Sequence, residues 1–238
     1  MNGRRTGSAR PGRRSATKRP FPWSVVLRKL GEYYKVGDWR VPYLQRGFRD
    51  PFQVLASTIL SQRTRDEATH VAAERLFAEY PTPLALSKAP LGKLERLIRN
   101  VGFYETKARA LKEVSREIIE RYGGSVPTEL EELVTLPMVG RKTANCVIVF
   151  GFDLPAIPVD THVHRISQRL GVAKTRTPEE TESVLVSQIP RSLWRAVNSL
   201  LVQHGQNVCR PIGPKCTICP IRKYCATGIS LQSRVIMV

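Results

Sequence analysis

The chain has 238 residues, 42% of them hydrophobic, and sets 38 Lys and Arg against 20 Asp and Glu, a formal charge of +18 with an isoelectric point near 10.3. That length is enough for one large packed unit or two small ones, and no apolar run is long enough to cross a membrane as a helix. The cation surplus points to a polyanionic partner, nucleic acid being the commonest, with a solvated basic surface as the alternative.

Seven of the cations fall in the first twenty residues, "MNGRRTGSARPGRRSATKRP". This stretch has no acid and no apolar core of a secretory signal, and too few apolar residues for the face of an amphipathic transit peptide. Residues 1–20 are expected to be a disordered basic arm.

After Pro22 the apolar spacing is helical almost throughout. "WSVVLRKLGEYYK" offers Ser24 as an N-cap, and "DPFQVLASTILS" offers Asp50 as a cap with Pro51 at the first helical position. "RDEATHVAAERLFAEY" carries Asp66 and Glu67 in its first turn. "LGKLERLIRN" follows, then "YETKARALKEVSREIIERY", closed by Gly123 and Gly124. Further helices are expected over "PTELEELVTL", "RKTANCVIVFGF", "DTHVHRISQRLG", "TPEETESVLVSQI" and "RSLWRAVNSLLVQHG". With no alternating strand pattern, the fold class is all-α with about ten helices. Two short stretches resemble each other, "VGFYETKARAL" and "VGRKTANCVI", each a Gly turn followed by Lys and Ala.

Four of the five cysteines lie in "CRPIGPKCTICPIRKYC": Cys209, Cys216, Cys219 and Cys225, with six, two and five residues between them. Pro211, Gly213, Pro214 and Pro220 forbid a regular helix here, so the segment loops round something. Disulfides do not suit a chain without a secretory signal. Four thiolates suit tetrahedral zinc or a [4Fe-4S] cluster. Cys146, in "ANCVIVFGF", reads as a small buried hydrophobe.

The turn "LPMVG" joins two helices by a very short connection. Gly140 lets the backbone approach a partner, and the N–H groups of the next helix can hold a phosphate without reading sequence. Arg141 is a further candidate phosphate contact. Lys142 stands at a helix start beside another cation, and both features are expected to lower its pKa and favour a nucleophilic amine. Eighteen residues on, Asp160 in "IPVDTHVHRISQRLG" reads locally as an N-cap. His162 and His164 point different ways on a helix and read as packing and hydrogen-bonding residues.

Together, "LPMVGRKTA", "VDTHVHR" and the cysteine spacing, in this order, resemble the helix-hairpin-helix DNA glycosylases that carry an iron–sulfur cluster, and among them most resemble the endonuclease III family. The resemblance covers Asp50 to Cys225. It implies a six-helix domain over residues 45–154, a discontinuous iron–sulfur domain from 21–44 and 155–228, and a C-terminal tail from 229 to 238. By the same resemblance Lys142 and Asp160 are the catalytic pair, and Cys209, Cys216, Cys219 and Cys225 hold a [4Fe-4S] cluster. Val139, Gly140 and Arg141 form the DNA-binding hairpin. Phe103 is an intercalating residue, and either Gln62 or Arg63 fills the gap left by an extruded base. Met138 replaces the first glycine of the family's usual "LPGVG".

The implied activity is a bifunctional glycosylase and abasic-site lyase acting on damaged, most naturally oxidised, pyrimidines in double-stranded DNA. The expected protein is a monomer of the cytoplasm, at the nucleoid, or of a nucleus. A monofunctional mismatch glycosylase and a non-catalytic DNA-binding iron–sulfur protein are the alternatives.

Overall fold

The computed structural model describes residues 20–36, 42 and 47–235. The expected basic arm and the expected domain boundary near residue 45 lie outside the described residues. Every regular element described is helical, and no described helix is long and apolar enough to cross a membrane.

Helix α1 (Trp23–Lys35) starts one residue before the expected cap, so Ser24 lies inside it; Pro22 takes the N-cap position and no side chain caps the end. In α2 (Pro51–Ser61) the expectation holds: Asp50 Oδ1 accepts from Gln53 N at 3.0 Å, and Pro51 occupies the first turn. Next come α3 (Asp66–Glu79), α4 (Pro83–Lys88), α5 (Leu91–Leu97) and α6 (Tyr104–Tyr122). The sequence reading had passed over α4, a short helix capped by Thr82. "PTELEELVTL" yields only α7 (Leu130–Leu133). "RKTANCVIVFGF" splits into α8 (Arg141–Cys146) and a π-helical turn, Val147–Gly151. That turn packs so closely on the start of α2 that a Cβ at Gly151 would lie 3.0 Å from Pro51 Cα. The chain ends in α9 (Thr161–Leu170), α10 (Pro178–Gln188), α11 (Trp194–Asn207) and α12 (Ala226–Val235), with short 3-10 turns at Arg191–Leu193, Cys216–Ile218 and Arg222–Tyr224. The described part of the expected tail, residues 229–235, is thus helical.

Buried apolar side chains form two clusters. The first is built from Phe52 to Ala156 around α2, whose Leu55, Ile59 and Leu60 are fully enclosed; each such side chain stabilises the fold by about 1.5–3 kcal/mol. The second joins Trp23, Val26, Leu27 and Leu30 of α1 to residues from Ile157 to Ile221. Helix α1 packs on α11, so the beginning of the described chain is held by its last third. The chain crosses between the clusters after Ala156, between Lys142 and Asp160.

Candidate active site and cysteine-lined cavity

The hairpin turn runs from Leu136 to Gly140. Val139 N donates to Leu136 O at 3.1 Å, and Met138 adopts φ 57°. A left-handed residue other than glycine costs roughly 1–2 kcal/mol, and Met138 offsets it by packing against the first cluster. The turn expected of a glycine therefore forms with methionine in its place. Gly140 precedes α8, and a Cβ there would meet nothing within 4 Å. Val139 is 5% exposed, its side chain in the core.

Arg141 opens α8, where the sequence places it, and its side chain meets a carboxylate. Its Nε sits 3.0 Å from both carboxylate oxygens of Glu182, and Nη2 adds a contact at 2.9 Å. Glu182 belongs to α10 and is 7% exposed. The guanidinium thereby bridges the two clusters, its side chain still about half exposed.

Asp160 is the N-cap of α9. Its Oδ1 accepts from His162 N at 2.9 Å and Val163 N at 2.8 Å. One oxygen takes both bonds and the residue also lines a cleft, so the capping role leaves a functional one open. That cleft, of about 240 Å³, lies between the clusters; Ser61, Asp66 and Lys142 line it from one side, Asp160, His162 and Gln206 from the other. A second link crosses it, Gln206 Nε2 donating to Asp66 Oδ2 at 3.2 Å. His162 is wedged against α11, where a Cβ at Gly205 would fall 2.4 Å from its Nδ1. His164 Nδ1 meets Thr181 Oγ1 at 2.7 Å. Both histidines pack and hydrogen-bond as expected.

The expected depression of the Lys142 pKa is not found. Burial disfavours its charge, but the negative charges that Cys146 and Asp160 can present outweigh it, and the pKa lies above the ordinary lysine value. One premise fails: the Arg141 charge is matched by Glu182. Cys146, one turn along α8, is fully buried as expected, and burial pushes its thiol pKa up.

Gln62 and Arg63 diverge. Gln62 Nε2 donates to Met138 O at 2.9 Å, binding it to the hairpin. Arg63 is exposed, has φ 50°, and places its guanidinium 5.9 Å from the ring centroid of Phe103. Phe103 is 63% exposed and also left-handed, with φ 58°.

Cys209, Cys216, Cys219 and Cys225 line one cavity with Ile166, Leu170 and Val208. Among the described residues, no three His, Cys, Asp or Glu converge tightly enough for a single metal ion. Several donors already face the sulfurs. Arg169 Nη1 is 3.3 Å from Cys209 Sγ, Gly228 N is 3.4 Å from Cys225 Sγ, and His204 Nε2 is 3.6 Å from Cys219 Sγ. Burial lowers the His204 pKa to about 4, so the ring is neutral, and Tyr34 Oη meets its Nδ1 at 2.8 Å. A tyrosine hydroxyl donating there leaves the proton on Nε2, aimed at sulfur. Burial pushes Cys219 up to about 11 and raises Cys225 as well, so ligation would require their thiols to lose protons. Arg165 and Arg169, one turn apart on α9, hold the loop by its Cys209, Arg210 and Pro211 carbonyls at 2.6–2.9 Å. The sequence reading missed these two arginines and His204; the i,i+4 spacing in "RISQR" was their only local sign.

Residues 56–191 match the model of the HhH-GPD superfamily base excision DNA repair proteins. Endonuclease III of Thermotoga maritima is 53% identical over 176 residues, 74% of this chain and 83% of the relative; that of Bacillus subtilis is 37% identical over 203 residues, 85% and 90%. A solved structure of a trapped covalent intermediate of endonuclease III with DNA superposes with a TM-score of 0.78 at 33% identity, covering 88% of this chain and 97% of the other. The hairpin, the cleft and this similarity agree: the chain belongs to the HhH-GPD superfamily of base excision DNA repair proteins, within its endonuclease III family.

Proposed function

We propose that the chain is a bifunctional DNA glycosylase and abasic-site lyase that acts as a monomer on damaged pyrimidines in duplex DNA. The observation that carries this reading is the cleft: Lys142 and Asp160, from different packing clusters, line one space between them. The clusters are, in this reading, the cores of a six-helix domain and a discontinuous second domain, with DNA lying across the join. A base inside a duplex is out of reach, so the nucleotide is extruded. Phe103 and Arg63 hold the vacated stack, Gln62 being tied to the hairpin, and the exposed Gly140 backbone meets a phosphate.

Lys142 enters as an ammonium, given its raised pKa, and Asp160 takes its proton directly or through water. The neutral amine attacks C1′ while the glycosidic bond breaks, and the base leaves with the bonding pair and the proton that Asp160 took, which restores the carboxylate. Asp160 also stabilises the positive charge that develops on the sugar. Opening of the sugar ring gives a Schiff base between Lys142 and C1′. Loss of the C2′ proton then expels the 3′ phosphate, cutting the strand. An available amine at position 142 disfavours both the monofunctional and the non-catalytic alternatives.

Cys209, Cys216, Cys219 and Cys225 fit a [4Fe-4S] cluster. They stand round a cavity rather than converging on a point, and they face N–H donors of the kind that stabilise coordinated sulfur. Such a cluster would brace the loop carrying Arg210 and Lys215 and enters none of the steps above. An enzyme of this kind works where the genome is, at the nucleoid or in a nucleus. Strand-cleavage assays on duplexes with single oxidised pyrimidines test the activity: cleavage at the lesion is expected, and base release without cleavage would indicate a monofunctional enzyme.

A further inference from the structure

Lys107 is 1% exposed. Its Nζ lies 2.8 Å from Leu60 O, 2.6 Å from Gln62 O and 3.0 Å from Thr64 Oγ1. Three N–H donors meet three acceptors, so the ammonium is saturated without a carboxylate. Two of those acceptors are backbone carbonyls where α2 ends, a place that favours a cation. Lys107 itself sits in the first turn of α6, its backbone N donating to Phe103 O at 3.0 Å.

The segment it holds contains Arg63, and the turn it belongs to begins with Phe103. The two are joined again by Gly102 N, which donates to Thr64 Oγ1 at 3.2 Å, and they lie so close that a Cβ at Gly102 would come 3.2 Å from Arg63 O. Arg63 and Phe103 both have φ near 50–60°, where residues other than glycine do not rest unless neighbouring structure holds them.

We propose that Lys107 is a positioning residue: by binding the loop after α2 to the start of α6, it makes Arg63 and Phe103 a single rigid wedge that enters the duplex as a unit. This rests on the roles given to Arg63 and Phe103 under the proposed function. A wedge set in place beforehand loses little freedom on entering DNA, whereas two loose loops must be ordered at the moment of extrusion. Neither Lys107 nor its acceptors need touch the nucleotide.

The test separates extrusion from chemistry. An abasic site in a single-stranded oligonucleotide needs no wedge; a damaged base in a duplex does. Full-length Lys107→Met is compared with Phe103→Ala and the double variant on both substrates, with enzyme in excess. Single-stranded cleavage by Lys107→Met is expected at the wild-type rate. Duplex excision should fall roughly tenfold or more, the scale on which misplaced positioning groups register, and the double variant should be no slower than Phe103→Ala alone. An equal loss on both substrates would make Lys107 a fold residue and overturn the proposal. So would unchanged duplex excision by Lys107→Met where Phe103→Ala is impaired. Normal duplex excision by Phe103→Ala would instead remove the wedge itself. If Lys107→Met does not fold, Thr64→Val deletes the hydroxyl that takes both the Lys107 and Gly102 bonds, and the same loss confined to the duplex is expected.

Discussion

Arg141 and Glu182 meet in a forked ion pair, Nε 3.0 Å from each carboxylate oxygen, that ties the residue next to Lys142 to the helix following α9. Glu182 is nearly buried, so removing Arg141 strands a carboxylate. Arg141→Met should lower the unfolding free energy by about 1–3 kcal/mol. Arg141→Met/Glu182→Met should recover much of that loss, because a removed pair leaves no unmatched charge. Denaturant midpoints check this. A guanidinium already engaged should also leave the salt dependence of DNA binding almost unchanged when it is removed. A fall of about one in the slope would restore it as a phosphate contact.

Asp160 caps α9 through a single oxygen, and asparagine offers the same oxygen in the same shape. Asp160→Asn should therefore shift thermal stability little, since the two residues cap about equally well. Base excision should fall by roughly two orders of magnitude or more, the scale of losing one preorganised electrostatic group. Full activity in this variant would reduce Asp160 to its cap.

Purified protein should be yellow-brown and carry about four irons per chain. Cys219→Ser, which removes a sulfur facing His204, should lose iron and the broad visible absorbance together. Colourless wild-type protein with one zinc would contradict the cluster.

Burial brings the Lys107 pKa down to about 8. The unfolded chain keeps that proton up to the ordinary lysine range near 10.4, so across the interval it holds more protons than the folded chain and stability rises with pH. The unfolding free energy of wild type minus that of Lys107→Met should increase from about pH 8 to 10, and be flat below. A decrease over that interval would contradict the burial of an ammonium held by neutral acceptors alone.

Much of the fold was legible because helices announce themselves locally. Asp50 with Pro51 marked the start of α2, and Gly123 marked the end of α6. What escaped depended on partners distant in sequence. The Lys142 environment was misread because Glu182, forty residues on, matches the Arg141 charge, and because Cys146 and Asp160 press on the amine. The proposed choice of Arg63 over Gln62 was likewise beyond local pattern: it rests on Met138 O, which takes the Gln62 amide, and on Phe103, beside which Arg63 stands. Four cysteines in one proline-rich segment implied a shared site, but nothing in that segment pointed to Arg169 or His204.

The central claim is that Lys142 attacks the sugar, and borohydride trapping reads that bond directly. Wild-type protein mixed with a duplex containing one abasic site should form a stable covalent adduct on reduction. Lys142→Gln, which keeps the length of the side chain and loses the amine, should bind the same duplex and form none. An adduct formed by Lys142→Gln as efficiently as by wild type would place the nucleophile elsewhere and contradict the account.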